Sequence, residues 1–401
     1  MKKLLNVFLA LALVLVFTAA ACAQESLVVR DDSEYVNMTM DELYEAALKE
    51  AAEGKTLVVY SETGSVGKSI AQFMEDYPGI QAEGTKYKTN VIAEKIPLEY
   101  QGAPYCDVII TSDGSGALYL DWYNKGYVNA FYPKALEEKL LPEYAFYGLP
   151  ITLEADVWYY NTAAFPDGSP INNWWDIVEM KENGTSVYSI ITHPGSNLNI
   201  SSMLSNLVLH ADLLEAAYEE KYGTPIEYTY PDDFGVEENN AGYEWLYRFL
   251  QCSHVENNDA NEIIAAVSES TAEAPLLGFT SSIKLGDALD LGQSVDIVRS
   301  LSQFNGFARA KFVYMFTKSD SPAMAHLYAL YCMGGEDGNG AGYDAYVNRM
   351  GCYPTRTDRD EMAFNKYSFA DINVLPTDLE FVNYNYMDVQ DFYTYFAEEF
   401  K

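Results

Sequence analysis

Residues 56–80 read TLVVYSETGSVGKSIAQFMEDYPGI, and this stretch indicates the fold class. It begins with a β-rich apolar run, Thr56 to Tyr60, which predicts a short buried strand. A polar loop follows, and apolar residues then recur at helical spacing until Pro78 and Gly79 end the segment. The order strand, loop, helix is the repeating unit of α/β proteins.

The same alternation continues on both sides of this stretch. Upstream, Thr39 and Glu42 predict a capping box at the start of a helix that Gly54 can end. Downstream, the pattern predicts helices near 90–100 and 115–125 and strands near 107–111, 187–191, 275–279 and 311–317. Strands separated by helices predict an α/β fold with mainly parallel sheets covered on both faces.

The composition indicates a large ordered core and an acidic surface. The chain has 401 residues and is 49% hydrophobic, which is long enough for two lobes. Lys and Arg total 25 against 59 Asp and Glu, for a formal charge of −34. Such a surface repels phosphate backbones, so we expect no nucleic-acid partner.

The first residues predict export and a lipid anchor. Lys2 and Lys3 precede an apolar run that ends in Ala-Ala-Ala-Cys, so residues 1–21 are interpreted as a signal peptide and Cys22 as the lipidated first residue. Ordinary cleavage after Ala21 or Ala23 is the alternative. Residues 22–39 are then a tether, and the protein works outside the cytoplasm, held at the membrane of a bacterial cell surface or periplasm.

Four further cysteines, Cys106, Cys252, Cys332 and Cys352, show no zinc-ligand spacing. We interpret them as structural. A disulfide between Cys332 and Cys352 is compatible with export, but the sequence does not choose among the three pairings.

The sequence gives little support for a catalytic role. The triplet Gly67-Lys68-Ser69 follows a strand, but Glu62 stands where a phosphate-binding loop needs its first glycine. The four histidines lack metal-ligand spacing, and no serine lies in a nucleophile elbow. Glu154 and Asp156 are two apart and are interpreted as one polar side of a strand. We therefore predict no enzyme activity, no cofactor and no metal.

Three loops between a strand and a helix are rich in hydroxyl groups: 61–65, 192–197 and 278–282. Helix starts offer free N–H groups and partial positive charge, and open α/β sheets bind ligands at the carboxyl ends of their strands. Each loop alone is a weak signal, and a capped helix start without ligand is the alternative.

Five segments in order carry a family resemblance. They are TLVVYSETGSVGKSIAQFMEDYPGI (56–80), DVIITSDGSGALYLDWYNKGYV (107–128), YGLPITLEADVWYYNTAAFPDGSPINNWWDI (147–177), KFVYMFTKSDSPAMAHLYALYCM (311–333) and GCYPTRTD (351–358). Over roughly residues 40–360 the chain resembles the type II extracellular solute-binding proteins of bacterial ABC importers. That group includes ferric-ion, polyamine, maltose and organophosphonate binders.

The resemblance implies two α/β lobes that close on a solute by hinge bending. Lobe 1 would comprise 40–149 and 313–345, and lobe 2 would comprise 150–312 and 346–401, with crossing strands near 148–154 and 310–314. It also implies a monomeric receptor that binds a small solute and delivers it to the permease subunits of an ABC importer. A solute sensor for a membrane kinase is a variant, and a secreted hydrolase on a similar scaffold is the rival class.

The loops and the resemblance together give the expected ligand-binding residues, which are Ser61, Thr63, Gly64, Ser65, Ser112, Asp113, Glu154, Tyr159, Thr192, Gly195, Ser196, Asn197, Thr280, Ser281 and Arg309. Thr280 to Ser282 stand where ferric binders of the group carry adjacent tyrosines, which disfavours iron. Hydroxyl-rich helix starts and an arginine fork favour a small anionic or phosphorylated metabolite. A polyamine is the alternative, because Glu62, Asp113 and Glu154 are also expected near the cleft.

Overall fold

The computed structural model describes residues 29–195, 197–231 and 239–400. The predicted signal peptide, Cys22 and Ser196 lie outside the described residues. Within them, no helix is both long and apolar enough to cross a membrane.

Strands and helices alternate along most of the chain. The strands are β1 (Leu57–Ser61), β2 (Ala82–Lys86), β3 (Val108–Ser112), β4 (Val128–Asn129), β5 (Leu149–Asn161), β6 (Ser189–Thr192), β7 (His254–Glu256), β8 (Leu276–Ser281), β9 (Val295–Ile297), β10 (Gly306–Phe316) and β11 (Leu375–Pro376). The α-helices are α1 (Met40–Ala52), α2 (Ser65–Asp76), α3 (Thr89–Gln101), α4 (Pro142–Ala145), α5 (Trp174–Ile177), α6 (Leu198–Leu209), α7 (Ala211–Tyr222), α8 (Ala241–Gln251), α9 (Ala260–Glu269), α10 (Lys284–Asp290), α11 (Pro322–Cys332), α12 (Ala341–Val347), α13 (Phe369–Ile372) and α14 (Leu379–Glu399).

The strands form a curled mixed sheet in the order β2-β1-β3-β10-β5-β8-β6-β7. On one side, β1 runs parallel to β2 and β3, and we call this part lobe 1. On the other side, β6 runs parallel to β7 and β8, and we call this part lobe 2. The predicted parallel strands are therefore present, one group in each lobe.

The two lobes are joined by two long antiparallel strands, β5 and β10. Along β10, residues 306–313 pair with β5, and residues 311–315 pair with β3 of lobe 1. Along β5, residues 149–157 pair with β10, and residues 156–161 pair with β8 and β9 of lobe 2. Every residue of β5 is buried. These crossing strands place the boundary between the lobes, and they also place the site described below.

Local sequence signals explain why individual elements begin where they do. The capping box predicted at Thr39 is formed, because the Thr39 N–H donates to Glu42 Oε2 at 2.9 Å and the Glu42 N–H donates to Thr39 Oγ1 at 3.3 Å. At the other end of that helix, Gly54 takes the left-handed conformation with φ of 83°.

Each lobe has an apolar core. In lobe 1, α2 buries Val66, Ile70 and Phe73 and packs on β1 and β2. In lobe 2, Trp174 and Trp175 are fully buried, as the sequence predicts for a helix start packed into a core. Their indole N–H groups donate to the carbonyls of Phe304 and Leu214, both at 2.8 Å.

The four described cysteines are free thiols, and each is buried. The disulfide between Cys332 and Cys352 is therefore not formed in this structure. Burial raises the pKa of the Cys332 and Cys352 thiols to about 12. They behave as small apolar side chains rather than as reactive groups.

Candidate functional site

A cleft of about 1280 Å³ lies between the two lobes, with the crossing strands at its floor. Lobe 1 lines it with residues 62–65 and 88–90, which follow the carboxyl ends of β1 and β2. Lobe 2 lines it with residues 258–260 and 280–281. The cleft thus lies at the strand ends where open α/β sheets bind ligands.

A cluster of five charged side chains lies at the floor, and strand register explains it. Arg309 on β10 is paired with Glu154 on β5, and Lys311 follows two residues later. Side chains two apart on a strand share a face, so β5 presents Glu154 and Asp156 together. Glu62, from the loop after β1, completes the cluster.

The arginine and the lysine are held by the carboxylates. Arg309 donates from Nη2 to Glu154 at 3.0 Å and from Nε to Asp156 at 3.1 Å. Lys311 forms an ion pair with Glu154 and lies 3.7 Å from Glu62 Oε1. The cluster has three carboxylates and two cations, so its formal charge is one negative.

These contacts set the protonation of the floor. Burial alone would raise the pKa of Glu154, but Lys311 and Arg309 outweigh it and hold that pKa at about 2. The same balance lowers the pKa of Glu62. For Asp156, burial outweighs Arg309 and raises the pKa. Burial would lower the pKa of Arg309, but Asp156 and Glu154 raise it, so the guanidinium stays charged.

Glu62 is the main hydrogen-bond acceptor of lobe 1 in the cleft. Its Oε2 accepts from Thr89 Oγ1 at 2.6 Å, from Thr111 Oγ1 at 3.0 Å, and from the N–H and Oγ of Ser112 at 3.0 and 2.9 Å. Glu62 therefore ties the start of α3 and the end of β3 to the floor. Its other oxygen, Oε1, faces Lys311.

The lining of the cleft is basic although the chain is strongly acidic. Seven cationic side chains line it: Lys68, Lys86, Lys88, Lys284, Arg309, Lys311 and Arg349. Three carboxylates line it, from Glu62, Glu154 and Asp259, so its net formal charge is four positive. The whole chain carries −34. Charge of opposite sign is thus concentrated in a cleft that both lobes line.

No protein-family model and no curated protein matches the chain. Solved structures do match. Apo ferric ion-binding protein A of Pasteurella haemolytica has 14% identity and a TM-score of 0.60, covering 86% of this chain and 98% of that one. Iron-bound HitA of Pseudomonas aeruginosa has 17% identity and a TM-score of 0.61, covering 84% and 98%. The periplasmic binding protein P5PA has 14% identity and a TM-score of 0.58, covering 86% and 99%.

This chain has the fold of a type II periplasmic binding protein. At these identities, what it shares with the solved proteins is the fold, which confirms the two-lobed architecture predicted from the sequence. The first of these proteins is named as a ferric ion-binding protein, and the structure of HitA is the iron-bound form.

In this periplasmic binding protein fold, the cleft brings together more than half of the residues expected from the sequence. Those that line it are Thr63, Gly64, Ser65, Ser112, Glu154, Asn197, Thr280, Ser281 and Arg309. They come from both lobes and from both crossing strands. Two of the hydroxyls are already donors to carboxylates, because Ser112 donates to Glu62 and Ser281 donates to Glu154 at 2.8 Å.

Three expected residues are buried beside the cleft and hold its backbone. Ser61 Oγ accepts from the Thr63 N–H at 3.2 Å. Asp113 accepts from the Tyr119 N–H at 2.8 Å, and burial raises its pKa to about 6. Thr192 donates from its hydroxyl to the His193 carbonyl at 2.8 Å.

Two more expected residues lie away from the cleft. Tyr159 is fully buried on β5 and donates to the Ser281 carbonyl at 2.9 Å, while Trp158, its neighbour, is also fully buried. Gly195 lines a separate pocket of about 820 Å³ beside β7 and α14. There it packs so closely on Tyr393 that an added Cβ would lie 2.2 Å from the ring.

The lysines that line the cleft were not among the residues expected from the sequence. Lys68 lies in α2, Lys86 ends β2, and Lys88 precedes α3. A local signal existed, since two lysines flank the junction of a strand and a helix at the carboxyl edge of the sheet. Their role depends on β2 lying beside β1, which no short motif shows.

Proposed function

We propose that this protein is an extracytoplasmic solute-binding lipoprotein that captures a small anionic solute in the cleft and delivers it to the permease of an ABC importer. The observation that supports the anionic solute is the charge of the cleft. In the chain, acidic residues outnumber basic ones 59 to 25, but in the lining basic residues outnumber acidic ones seven to three. A basic cleft in an acidic protein attracts anions at short range.

The floor of the cleft supports binding rather than acid–base catalysis. Because its pKa is about 2, Glu154 is ionised at neutral pH and has no proton to donate. Burial and the charge of Arg309 lower the pKa of His193, so this imidazole is neutral. Its Nε2 lies 3.4 Å from Thr280 Oγ1. These groups hold the floor in one charge state.

Lobe closure follows from the way the lobes are joined. Among the strands of the described residues, β5 and β10 alone carry the sheet from one lobe to the other, and both run through the floor. We place the lobe boundaries near residues 149 and 312, as predicted from the sequence. A solute that contacts both walls would favour the closed form, because those contacts exist only when the walls approach.

We place the protein at the outer side of a membrane through a lipid on Cys22. The support is in the sequence: two lysines, an apolar run and Ala-Ala-Ala-Cys. Labelling of cells with a fatty-acid probe should mark the protein, and Cys22→Ser should abolish the label. Persistent labelling of the variant would contradict the anchor.

A thermal-shift screen of the purified protein without its signal peptide tests the solute class. We expect a phosphorylated or carboxylated metabolite to raise the melting temperature, because a ligand that binds only the folded state stabilises it by about 2.7 kcal/mol at 100 times its Kd. Small-angle X-ray scattering with that solute should show a smaller radius of gyration.

Spermidine and ferric citrate belong in the same screen. Stabilisation by spermidine alone would overturn the anionic class in favour of a polyamine. Stabilisation by ferric citrate, with citrate alone inactive, would favour an iron binder, like the ferric ion-binding protein A among the solved structures. If no compound stabilised the protein or closed its lobes, the transport role itself would be contradicted.

A further inference from the structure

The positive charge of the cleft is not spread evenly over its walls. At the floor, Arg309 and Lys311 are neutralised by carboxylates of the cluster. On the lobe 2 side, Lys284 and Arg349 share Asp287, at 3.3 and 2.7 Å. Asp259 also lines the cleft there, so two cations face two carboxylates. The excess positive charge of the cleft must therefore come from lobe 1.

Lobe 1 contributes three lysines, Lys68, Lys86 and Lys88, which we call the lysine wall. None of the ion pairs formed within the described residues involves any of them. All three side chains are exposed and all three line the cleft. The lysine wall is thus the part of the cleft where cationic charge lacks a protein counter-charge.

The backbone under the lysine wall is held in place. Lys86 lies opposite Ser61 in the β1–β2 register, and the next N–H, of Tyr87, donates to the Ser61 carbonyl at 2.9 Å. Thr89 then donates to Glu62 at 2.6 Å. The loop that carries Lys86 and Lys88 is therefore fixed at both ends, and only the lysine side chains need to move toward a ligand.

Two helices also begin at this wall without a capping side chain. Gly64 precedes α2 and Lys88 precedes α3, and neither makes a side-chain cap hydrogen bond. A glycine has no side chain to accept with, and an ammonium group has no acceptor atom. The N–H groups at the start of α2 are already bonded, from Ser65 to Thr63 Oγ1 and from Val66 and Gly67 to the carbonyls of Thr63 and Gly64. The partial positive charge of both helix starts still adds to the lysine charge.

Several other donors near the floor are already used. Arg309 directs Nε and Nη2 to carboxylates, so its fork is not open to a ligand. The hydroxyls of Thr89 and Ser112 donate to Glu62, and that of Ser281 donates to Glu154. An anion placed centrally would meet a floor with one net negative charge. The lysine wall is the favourable alternative.

We propose that the lysine wall is the subsite for a doubly charged oxyanion and that the solute is a phosphate monoester, with its organic part over the floor and lobe 2. A phosphate monoester carries a charge of about −1.5 to −2 at pH 7. It therefore suits three ammonium groups better than a ligand with a single carboxylate does. The cleft, at about 1280 Å³, has room for an organic part that free phosphate lacks. This inference rests on the proposed function and names its solute class.

Titration calorimetry at low ionic strength tests the proposal with three probes: glycerol 3-phosphate, inorganic phosphate and acetate. We expect glycerol 3-phosphate to bind at least tenfold more tightly than acetate and more tightly than inorganic phosphate. The double variant K86Q/K88Q should weaken the binding of glycerol 3-phosphate at least tenfold. The matched control K49Q/K134Q removes the same charge from exposed lysines outside the cleft and should stay within twofold of the parent.

Other results would overturn the proposal. Equal losses in K86Q/K88Q and K49Q/K134Q would show an effect of net charge only. A larger loss in K284Q than in K86Q/K88Q would place the anion on lobe 2. The monoester class would be excluded if inorganic phosphate bound and glycerol 3-phosphate did not, or if neither bound. The screen could also find an anion that closes the lobes and binds K86Q/K88Q as tightly as the parent. That result would contradict this inference and leave the proposed function standing. Unchanged melting temperatures of the unliganded variants show that they fold.

Discussion

Glu154 is the side chain on which the charge balance of the cleft floor depends. It is buried, accepts from Arg309 and Ser281, and pairs with Lys311. Removing its charge leaves one carboxylate, Asp156, to neutralise Arg309, while Lys311 keeps only Glu62 at 3.7 Å. An uncompensated buried charge is among the most costly changes in a protein core.

We therefore expect Glu154→Gln to lower the free energy of unfolding by about 3 kcal/mol at pH 7. The exposed Glu143→Gln is the matched control and should change it by less than about 0.5 kcal/mol. Because the folded pKa of Glu154, about 2, lies below its ordinary value, its contribution is complete above that ordinary value and is lost as the pH falls toward 2. Urea unfolding at pH 7 and pH 3 should show the difference between parent and variant shrinking. A difference that grew at pH 3 would contradict this assignment.

Sequence reasoning could place Glu154 and Arg309 near the cleft but could not pair them. The two lie 155 positions apart, and their contact depends on the register of β5 against β10. An arginine at the cleft was therefore interpreted as a fork for the ligand. In the structure, that fork holds two protein carboxylates. Periodicity identifies which face a residue takes, but register decides which partner it meets.

At the scale of elements, local signals were sufficient for the helices and strands of lobe 1. The capping box at Thr39, the glycine at 54 and the strand–loop–helix order of 56–80 all act within a few residues, so the sequence contains them in full. The contacts of side chains at the ends of elements were harder to predict. Ser61 and Asp113 lie at strand ends as expected, but their side chains cap the neighbouring backbone instead of lining the cleft.

The segment 29–37 is an element that sequence patterns did not reveal. It was interpreted as part of a polar tether, but it is bound to lobe 1. The Ala130 N–H donates to the Val29 carbonyl at 2.8 Å, and Arg30 lies over the ring of Tyr132 at 4.5 Å. The Asp31 carboxylate contacts His326 Nε2, and Tyr35 stacks on the same imidazole with ring centroids 4.6 Å apart.

We expect Asp31→Asn to release this segment without weakening solute binding. Burial would raise the pKa of Asp31, but the hydrogen bond with His326 outweighs it and holds the pKa at about 2. The variant loses this charge-assisted contact. Hydrogen exchange should become faster at residues 29–37, while Asp32→Asn, the neighbouring exposed carboxylate, should leave it unchanged. Equal protection in both variants would show that the strand-like pairing with Ala130 alone holds the segment.

For the whole molecule, the sequence gives the total charge but not its distribution. The excess of acidic residues describes the outer surface, whereas seven of the 25 basic residues meet in the cleft. They come from positions 68 to 349, and folding alone brings them together. Composition argues against a nucleic-acid partner, but it could not predict the sign of the charge in the cleft.

This opposition of charges predicts how salt affects the capture of an anion. At about 0.01 M salt, charges act over about 30 Å, so an approaching anion is repelled by the acidic surface. At about 0.15 M, the range falls to about 8 Å, which screens that surface but leaves contacts in the cleft. We expect the association rate constant to rise between these two conditions, and the dissociation rate constant to rise as well, because the cleft contacts weaken. Stopped-flow fluorescence with the stabilising anion measures both constants. An association rate that fell steadily with salt would show that the cleft, and not the acidic surface, governs the approach.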